Sequence, residues 1–249
     1  MPPRSQKHPS EQLMAEDAED IVGFAAERAR QRNPGVKVSI EVVPEEATHA
    51  LLRAGNNASA LVTGSRGRGE LTGLLLGSVG LAVAARAPCP VIVVRGDKAG
   101  VAGTHERIML GAGEPDTSGE AVRFAFREAE VRKCTLYVVR AWRRPAHETT
   151  HHPPPAGEPA RYYRERASTR LDALIHDAVA DHPGVWVHRA TVEGPARKVL
   201  LHRSAAADLL IIGARRRHGH FGLQLGRVGH RLLHHAACPV AIVPQRSGQ

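Results

Sequence analysis

The sequence predicts an α/β protein built from two doubly wound, parallel-sheet domains in tandem, the first of them incomplete. Three observations lead there. Short apolar runs alternate with helix-forming stretches along the chain. The chain repeats itself at an offset of 149 residues, so that Gly64, Gly77, Gly80 and Cys89 recur as Gly213, Gly226, Gly229 and Cys238. A glycine-rich loop, GSRGRGELTGLLLGS over 64–78, joins a buried-type strand to a helix.

The repeat needs no gap. Pro34-Gly35-Val36 falls on Pro183-Gly184-Val185, Leu51-Leu52 on Leu200-Leu201, Leu61 on Leu210, and Cys89-Pro90-Val91 on Cys238-Pro239-Val240. The copies are unequal. The second opens with a strand over 107–111 (RIMLG), a helix over 118–132 and a strand over 135–142 (TLYVVRAW), whose counterparts in the first would lie at or before position 1. The expected domains are therefore 1–104, lacking its first β-α-β unit, and 105–249, which is complete.

In the first copy the pattern predicts a helix over 11–32, stopped by Asn33-Pro34-Gly35, and then a strand over 36–43. A helix over 45–54, a strand over 58–63 (ASALVT), the glycine loop, a helix over 78–86 and a strand over 91–94 follow. A polar segment, 97–105, links the copies. The second copy continues past its β-α-β unit with an irregular stretch over 143–159 and a helix over 161–180. Then come a strand over 185–192, a helix over 195–204, a strand over 208–212, a loop over 213–227, a helix over 228–236 and a strand over 240–243. Strands that alternate with helices pair in parallel through right-handed crossovers.

The loop over 64–78 carries the chemistry. Glycine lets backbone N–H groups turn toward a ligand, and a helix N-terminus adds free N–H groups and partial positive charge, a combination that suits phosphate. It is not G-x-x-x-x-G-K-[ST], and Gly67-Arg68-Gly69 lacks the third glycine of G-x-G-x-x-G. Its spacing is Gly64, two residues, Gly67, nine residues, then Gly77-Ser78. That spacing resembles the nucleotide-phosphate motif of the universal stress protein family. The resemblance implies Rossmann-like domains of the adenine nucleotide alpha hydrolase type, some of which bind ATP, and a stress-response binding or regulatory module rather than a dedicated enzyme. Carried over, it makes Gly64, Ser65, Arg66, Gly67, Gly77 and Ser78 the nucleotide-contacting residues. Base and ribose contacts come largely from the first strand in such domains, which this copy lacks, so the expected ATP site is weak.

The second loop departs from the pattern, with Arg216 at the second glycine and Arg227 at the serine. Gly113 stands where nucleotide-binding relatives have an Asp, and Asp116, Thr117 and Ser118 are candidate caps for the helix that follows. With the family's strand order, 3-2-1-4-5, loss of two strands would strand 36–43, so we expect it to pair directly with 58–63 in a three-stranded sheet. We further expect the copies to meet through 91–94 and 240–243, as family dimers join there, and the resemblance also admits a homodimer.

Composition narrows the alternatives. Of the net charge of +9, residues 105–249 carry most, with 22 Lys/Arg against 14 Asp/Glu, and 13 of the 15 histidines lie there too. A basic nucleic-acid module acting through Arg215–Arg217 is one alternative, against which aromatics at 4% give few stacking platforms. A nucleotide-hydrolysing enzyme is another. His147-Glu148-Thr149-Thr150-His151 matches H-E-x-x-H, but prolines flank it on both sides and a zinc site needs both histidines on one helix face, so no metal site is assigned. Ser65 lacks a nucleophile-elbow context, and no catalytic residue is assigned. Three cysteines without metal spacing read as reduced thiols, and the apolar runs fall short of a membrane span, so the expected compartment is the cytoplasm.

Overall fold

The computed structural model describes residues 9–65, 77–96, 103–144, 159–214 and 225–245, with side chains from 17 onward in the first helix and from 160 onward in the helix after the linker. Contacts divide the chain into two units, Met1–Glu46 and Ala47–Gln249.

The first unit is a long helix, α1 (Pro9–Arg32), followed by non-regular chain. Asn33 N–H donates to the Ala29 carbonyl, and Val36 N–H turns back to that of Asn33. Residues 36–43 form no strand. The predicted pairing of this segment with 58–63 is thus absent, and Val36, Ile40 and Val42 are exposed. Alternating valines supply the side chains of a strand but no hydrogen-bonding partner for its backbone.

The second unit contains α2 (Ala47–Ala54), β1 (Leu61–Gly64), α3 (Ser78–Arg86) and β2 (Val91–Val94) of the first copy. From the second copy come β3 (Arg107–Gly111), α4 (Pro115–Arg132), β4 (Thr135–Trp142), α5 (Pro159–Asp181) and β5 (Val187–Glu193). They are followed by α6 (Ala196–Arg203), a short 3-10 turn (Ser204–Ala206), β6 (Leu209–Ala214), α7 (Arg227–His235) and β7 (Val240–Pro244). The 149-residue offset maps α2 onto α6 and α3 onto α7 end for end.

All seven strands form one sheet in the order β1-β2-β7-β6-β3-β4-β5. The second copy keeps the parallel order 3-2-1-4-5. The first contributes two strands rather than the three expected, paired in parallel as Leu61↔Val91 to Gly64↔Val94. The one antiparallel join lies between the copies' last strands, where Val91 pairs with Ile242, Ile92 with Ala241 and Val93 with Val240. One core face then runs across the join, packing Leu61, Val83, Val91 and Val93 with Leu210, Leu232, Leu233, Val240 and Ile242. The other face is covered by α4 and α5 through Phe124, Phe126, Leu171 and Ile175 against Ile108, Leu110, Leu136 and Ile211. Sequence-equivalent positions differ sharply on this second face: Ile211 is fully buried, whereas Val62, its counterpart, is 63% exposed.

Candidate functional site

In the first copy β1 runs out through Gly64 to Ser65, whose N–H donates to the Val94 carbonyl at 2.9 Å and so anchors the start of the loop on β2. Arg66 and Gly67 lie outside the described residues. The chain returns at Gly77, whose N–H donates to the Ser65 carbonyl at 3.2 Å. Four of the six expected site residues, Gly64, Ser65, Gly77 and Ser78, are therefore brought to one corner, at the C-terminal end of β1 and the N-terminus of α3. Gly77 is the N-cap with no side-chain capping bond, and the first intrahelical bond runs from Leu81 N–H to the Gly77 carbonyl. The N–H groups of the first turn before Leu81 have no intrahelical acceptor by construction, and this is the arrangement that receives a phosphate.

Nothing in the fold demands a glycine at 77. Its φ is −60°, ordinary for any residue, and a Cβ there would meet no described residue within 4 Å. Thr63 Oγ1, one residue before the motif, is buried without a hydrogen-bond partner.

Gly213, the second copy's counterpart of Gly64, has a different reason to be glycine. A Cβ there would fall 1.6 Å from the Thr117 carbonyl oxygen and 2.8 Å from its carbon, because the first turn of α4 lies against the end of β6. In an open parallel sheet the ligand crevice lies where the strand order reverses, here between β3 and β6. In this copy the first turn of α4 packs directly on the end of β6 beside it.

Beside that crevice the sequence placed Gly113 in the Asp position, and the structure shows what replaces the carboxylate. Arg140, from the middle of β4, is buried and donates from Nη1 to the Gly113 carbonyl and from Nη2 to Glu114 Oε1, both at 2.6 Å. Arg170 Nη1 of α5 is 3.8 Å from the same Glu114 oxygen. The guanidinium is satisfied by protein groups, not presented to a ligand. Sequence reasoning passed over Arg140; its signal was a charged residue inside the buried run TLYVVRAW.

The capping candidates resolve differently from expectation. Helix α4 starts at Pro115, three residues before the predicted 118, with Glu114 as an N-cap that makes no side-chain cap bond. Asp116 sits inside the first turn, Thr117 Oγ1 donates to the Glu114 carbonyl, and Ser118 Oγ accepts the Gly113 N–H at 2.9 Å. Proline at the first helical position starts the helix early, since it needs no N–H acceptor and its φ is preset. Arg227 opens α7 where Ser78 opens α3, and both helices follow a glycine with nearly the same backbone, φ −60° ψ 150° at Gly77 and φ −59° ψ 164° at Gly226. The basic run Arg215–Arg217 and the H-E-x-x-H segment lie outside the described residues. Among the described residues no cluster of His, Cys, Asp and Glu is placed to hold a metal ion, and no helix is long and apolar enough to cross a membrane.

At the join between the copies Arg95, just after β2, donates from Nη1 to the Leu232 carbonyl at 3.4 Å and to that of Leu233, at the C-terminal end of α7. A cation there complements the helix dipole. His234, buried on the same turn, lies 4.5 Å ring to ring from His230. Its pKa is lowered, first by burial and then by His230, His235 and Arg95. Burial pushes the Cys238 thiol up to about 12, and all three cysteines are free.

A model described as the universal stress protein family matches residues 2–95 and 104–244. Universal stress protein Rv2005c of Mycobacterium tuberculosis is 32% identical over 235 residues, covering 92% of this chain and 78% of that one. Universal stress protein Rv2623 of the same organism is 28% identical over 217 residues, covering 87% and 71%. A solved universal stress protein from Archaeoglobus fulgidus superimposes with a TM-score of 0.67 at 17% identity, over 99% of this chain and 83% of that one.

Proposed function

The chain belongs to the universal stress protein family, and we propose that within it the protein is a stress-response binding module whose single nucleotide site is the loop of the first copy. The observation that carries this is the corner formed by Gly64, Ser65, Gly77 and Ser78, with no described residue within 4 Å of a Cβ at Gly77, at the first turn of α3. Arg66 and Gly67 complete the six-residue set by sequence. The ligand is the phosphate tail of ATP, held by N–H groups, hydroxyls and the loop's arginines, Arg66 and Arg68. The residues present fit phosphate and do not fit a whole nucleoside, because no described strand lies on the outer side of β1 to supply base and ribose contacts. Affinity is then weak, on the order of 0.1 to 1 mM, a binding free energy of only about 4 to 5.5 kcal/mol.

The second copy plays the structural part. Its loop departs from the pattern at Arg216 and Arg227, and Arg140 bonds the Gly113 carbonyl at the position where an Asp is expected, which supports a structural rather than a nucleotide-binding part for this copy. The chain is a binding protein rather than an enzyme in this reading, since among the described residues no base or nucleophile is positioned beside the loop. We place it in the cytoplasm, consistent with three free thiols.

Calorimetric titration with ATP and GTP tests the proposal. Weak binding with little preference between the two is expected, abolished by Gly77→Arg in a variant whose circular dichroism melt matches the wild type. Adenine-selective, low-micromolar binding would overturn it, as would binding that survives Gly77→Arg.

A further inference from the structure

We infer that the outer surface of the helix pair α6 and α7 binds the phosphate backbone of duplex nucleic acid. The two helices pack side by side on one face of the sheet, with Leu200 of α6 and Leu232 and Leu233 of α7 turned into the core. Their charges have one sign. The sequences ARKVLLHR and RVGHRLLHH contain Arg197, Lys198, Arg203, Arg227 and Arg231, and no Asp or Glu. Among the described residues no salt bridge reaches any of these cations, whereas Arg132, Arg140 and Arg189 elsewhere in the copy each meet a carboxylate.

The repeat supplies an internal control. Helices α2 and α3 occupy the same register at the 149-residue offset, and α3 buries Val83 and Ala84 where α7 buries Leu232 and Leu233. Outside the core the copies part: Ala54 stands where α6 has Arg203, Ser78 where α7 has Arg227, and Ala82 where α7 has Arg231. The fold does not ask for these cations, and on α7 they work against it. Arg227 opens the helix, at the positive end of its dipole, and Arg231 and His235 follow at four-residue steps, so like charges line one exposed stripe. His235 reports the resulting field, its pKa being lowered first by partial desolvation and then by Arg231, Arg95 and His230.

A duplex backbone is the ligand this surface fits. The stripe from Arg227 to His235 rises about 12 Å, a length over which a duplex carries about seven negative charges. Among the described residues neither helix exposes a large apolar side chain, the anchor that a membrane surface or a protein partner would need. Neither carries a Phe, Tyr or Trp on which a single strand could stack. What they offer is cations, which read phosphate rather than base sequence. The inference is independent of nucleotide binding, since it uses a different surface from the loop over 64–78.

Fluorescence anisotropy of a short labelled duplex, DNA in one arm and RNA in the other, titrated with the full chain tests it; the arm that binds tighter identifies the source of the phosphates. The expected Kd is about 1 to 100 µM near physiological salt, weakening by about two orders of magnitude between about 50 and 200 mM salt, as about four to five phosphate contacts require. Arg227→Gln combined with Arg231→Gln should weaken binding at least about tenfold and reduce the salt slope by about 2. Arg197→Gln combined with Lys198→Gln, on α6, should do the same. As a control, Arg164→Gln combined with Arg166→Gln removes the same charge from α5, on the other face of the sheet, and should change affinity by less than about twofold because screening isolates distant charges. Circular dichroism melts identify any variant that fails to fold. Absence of binding to both duplexes at low salt would overturn the inference, as would equal losses in the α5 and α7 variants, wild-type affinity in both folded α6 and α7 variants, or tighter binding to phosphatidylglycerol vesicles than to either duplex.

Discussion

Equivalent glycines in the two copies have unequal structural duties, and this makes the residue scale testable. Gly213 is required by packing: a methyl group there would fall 1.6 Å from the Thr117 carbonyl oxygen, and the obstacle is helix backbone rather than a yielding side chain. Gly77 is under no such constraint. Gly213→Ala is therefore expected to cost at least about 2 kcal/mol by overpacking. Gly77→Ala should stay within about 1 kcal/mol, since only a modest N-cap preference separates the two residues there. Urea unfolding midpoints of the two variants check this, and similar losses for both would contradict it. Gly213 also teaches caution about motifs. Its match to the first glycine of the phosphate-loop pattern is accounted for by the close approach of α4.

Element boundaries were largely legible in the sequence, because the repeat supplied the elements shared by the two copies twice. Helices α2, α3, α6 and α7 fall within two residues of expectation, and their common offset survives in three dimensions. What could not be read was whether a strand would find a neighbour. Residues 36–43 and β5 occupy equivalent places in the repeat, and the second becomes a strand because β4 lies beside it with Leu136↔Val187 through Trp142↔Glu193. The first has no counterpart of β4, and alternating valines alone leave it irregular. Local pattern proposes a strand and long-range pairing decides it. Four of the six residues named for the site, Gly64, Ser65, Gly77 and Ser78, lie at one corner as the spacing implies; the packing of Thr117 on Gly213 and the bond from Arg140 to Gly113 could not be read, because they join residues far apart in the chain.

Helix α7 carries its own prediction at this scale. His234 has a folded-state pKa below its ordinary 6.5, because burial and the neighbouring His230, His235 and Arg95 disfavour the imidazolium. As pH falls through about 6.5 the unfolded chain takes up this proton before the folded one does, so the unfolded state binds more protons and stability declines. The contribution is fully present above that window and is lost progressively below it. Denaturation midpoints measured from pH 7.5 to 5.5 should fall, and His234→Gln should remove part of that slope. An unchanged slope in the variant would show that another histidine carries the effect.

At the scale of the whole sheet, the first copy's β1 and β2 depend on the second for their stability. A pair of short parallel strands is not expected to persist alone, and here β2 is held on its far side by the antiparallel bonds to β7. Gly96 sits just past β2 at φ +109°, a conformation that side-chain-bearing residues avoid, and a Cβ there would lie 2.2 Å from the Ala237 carbonyl oxygen at the approach to β7. Arg95 beside it reaches the carbonyl end of α7. Gly96→Val therefore introduces both backbone strain and a collision at the one place where the copies' strands meet, and should loosen β2 from β7 without touching the parallel ladder from β5 to β7. Hydrogen exchange resolves the outcome by position. In the wild type, amides of β2 and β7 should share slow, cooperative exchange; in the variant those of β1 and β2 should exchange far sooner than those of β3, β4 and β6, whose pairing lies wholly within the second copy. If protection fell evenly across all seven strands, the sheet would be a single cooperative unit and the second copy would depend on the first as much as the first depends on it.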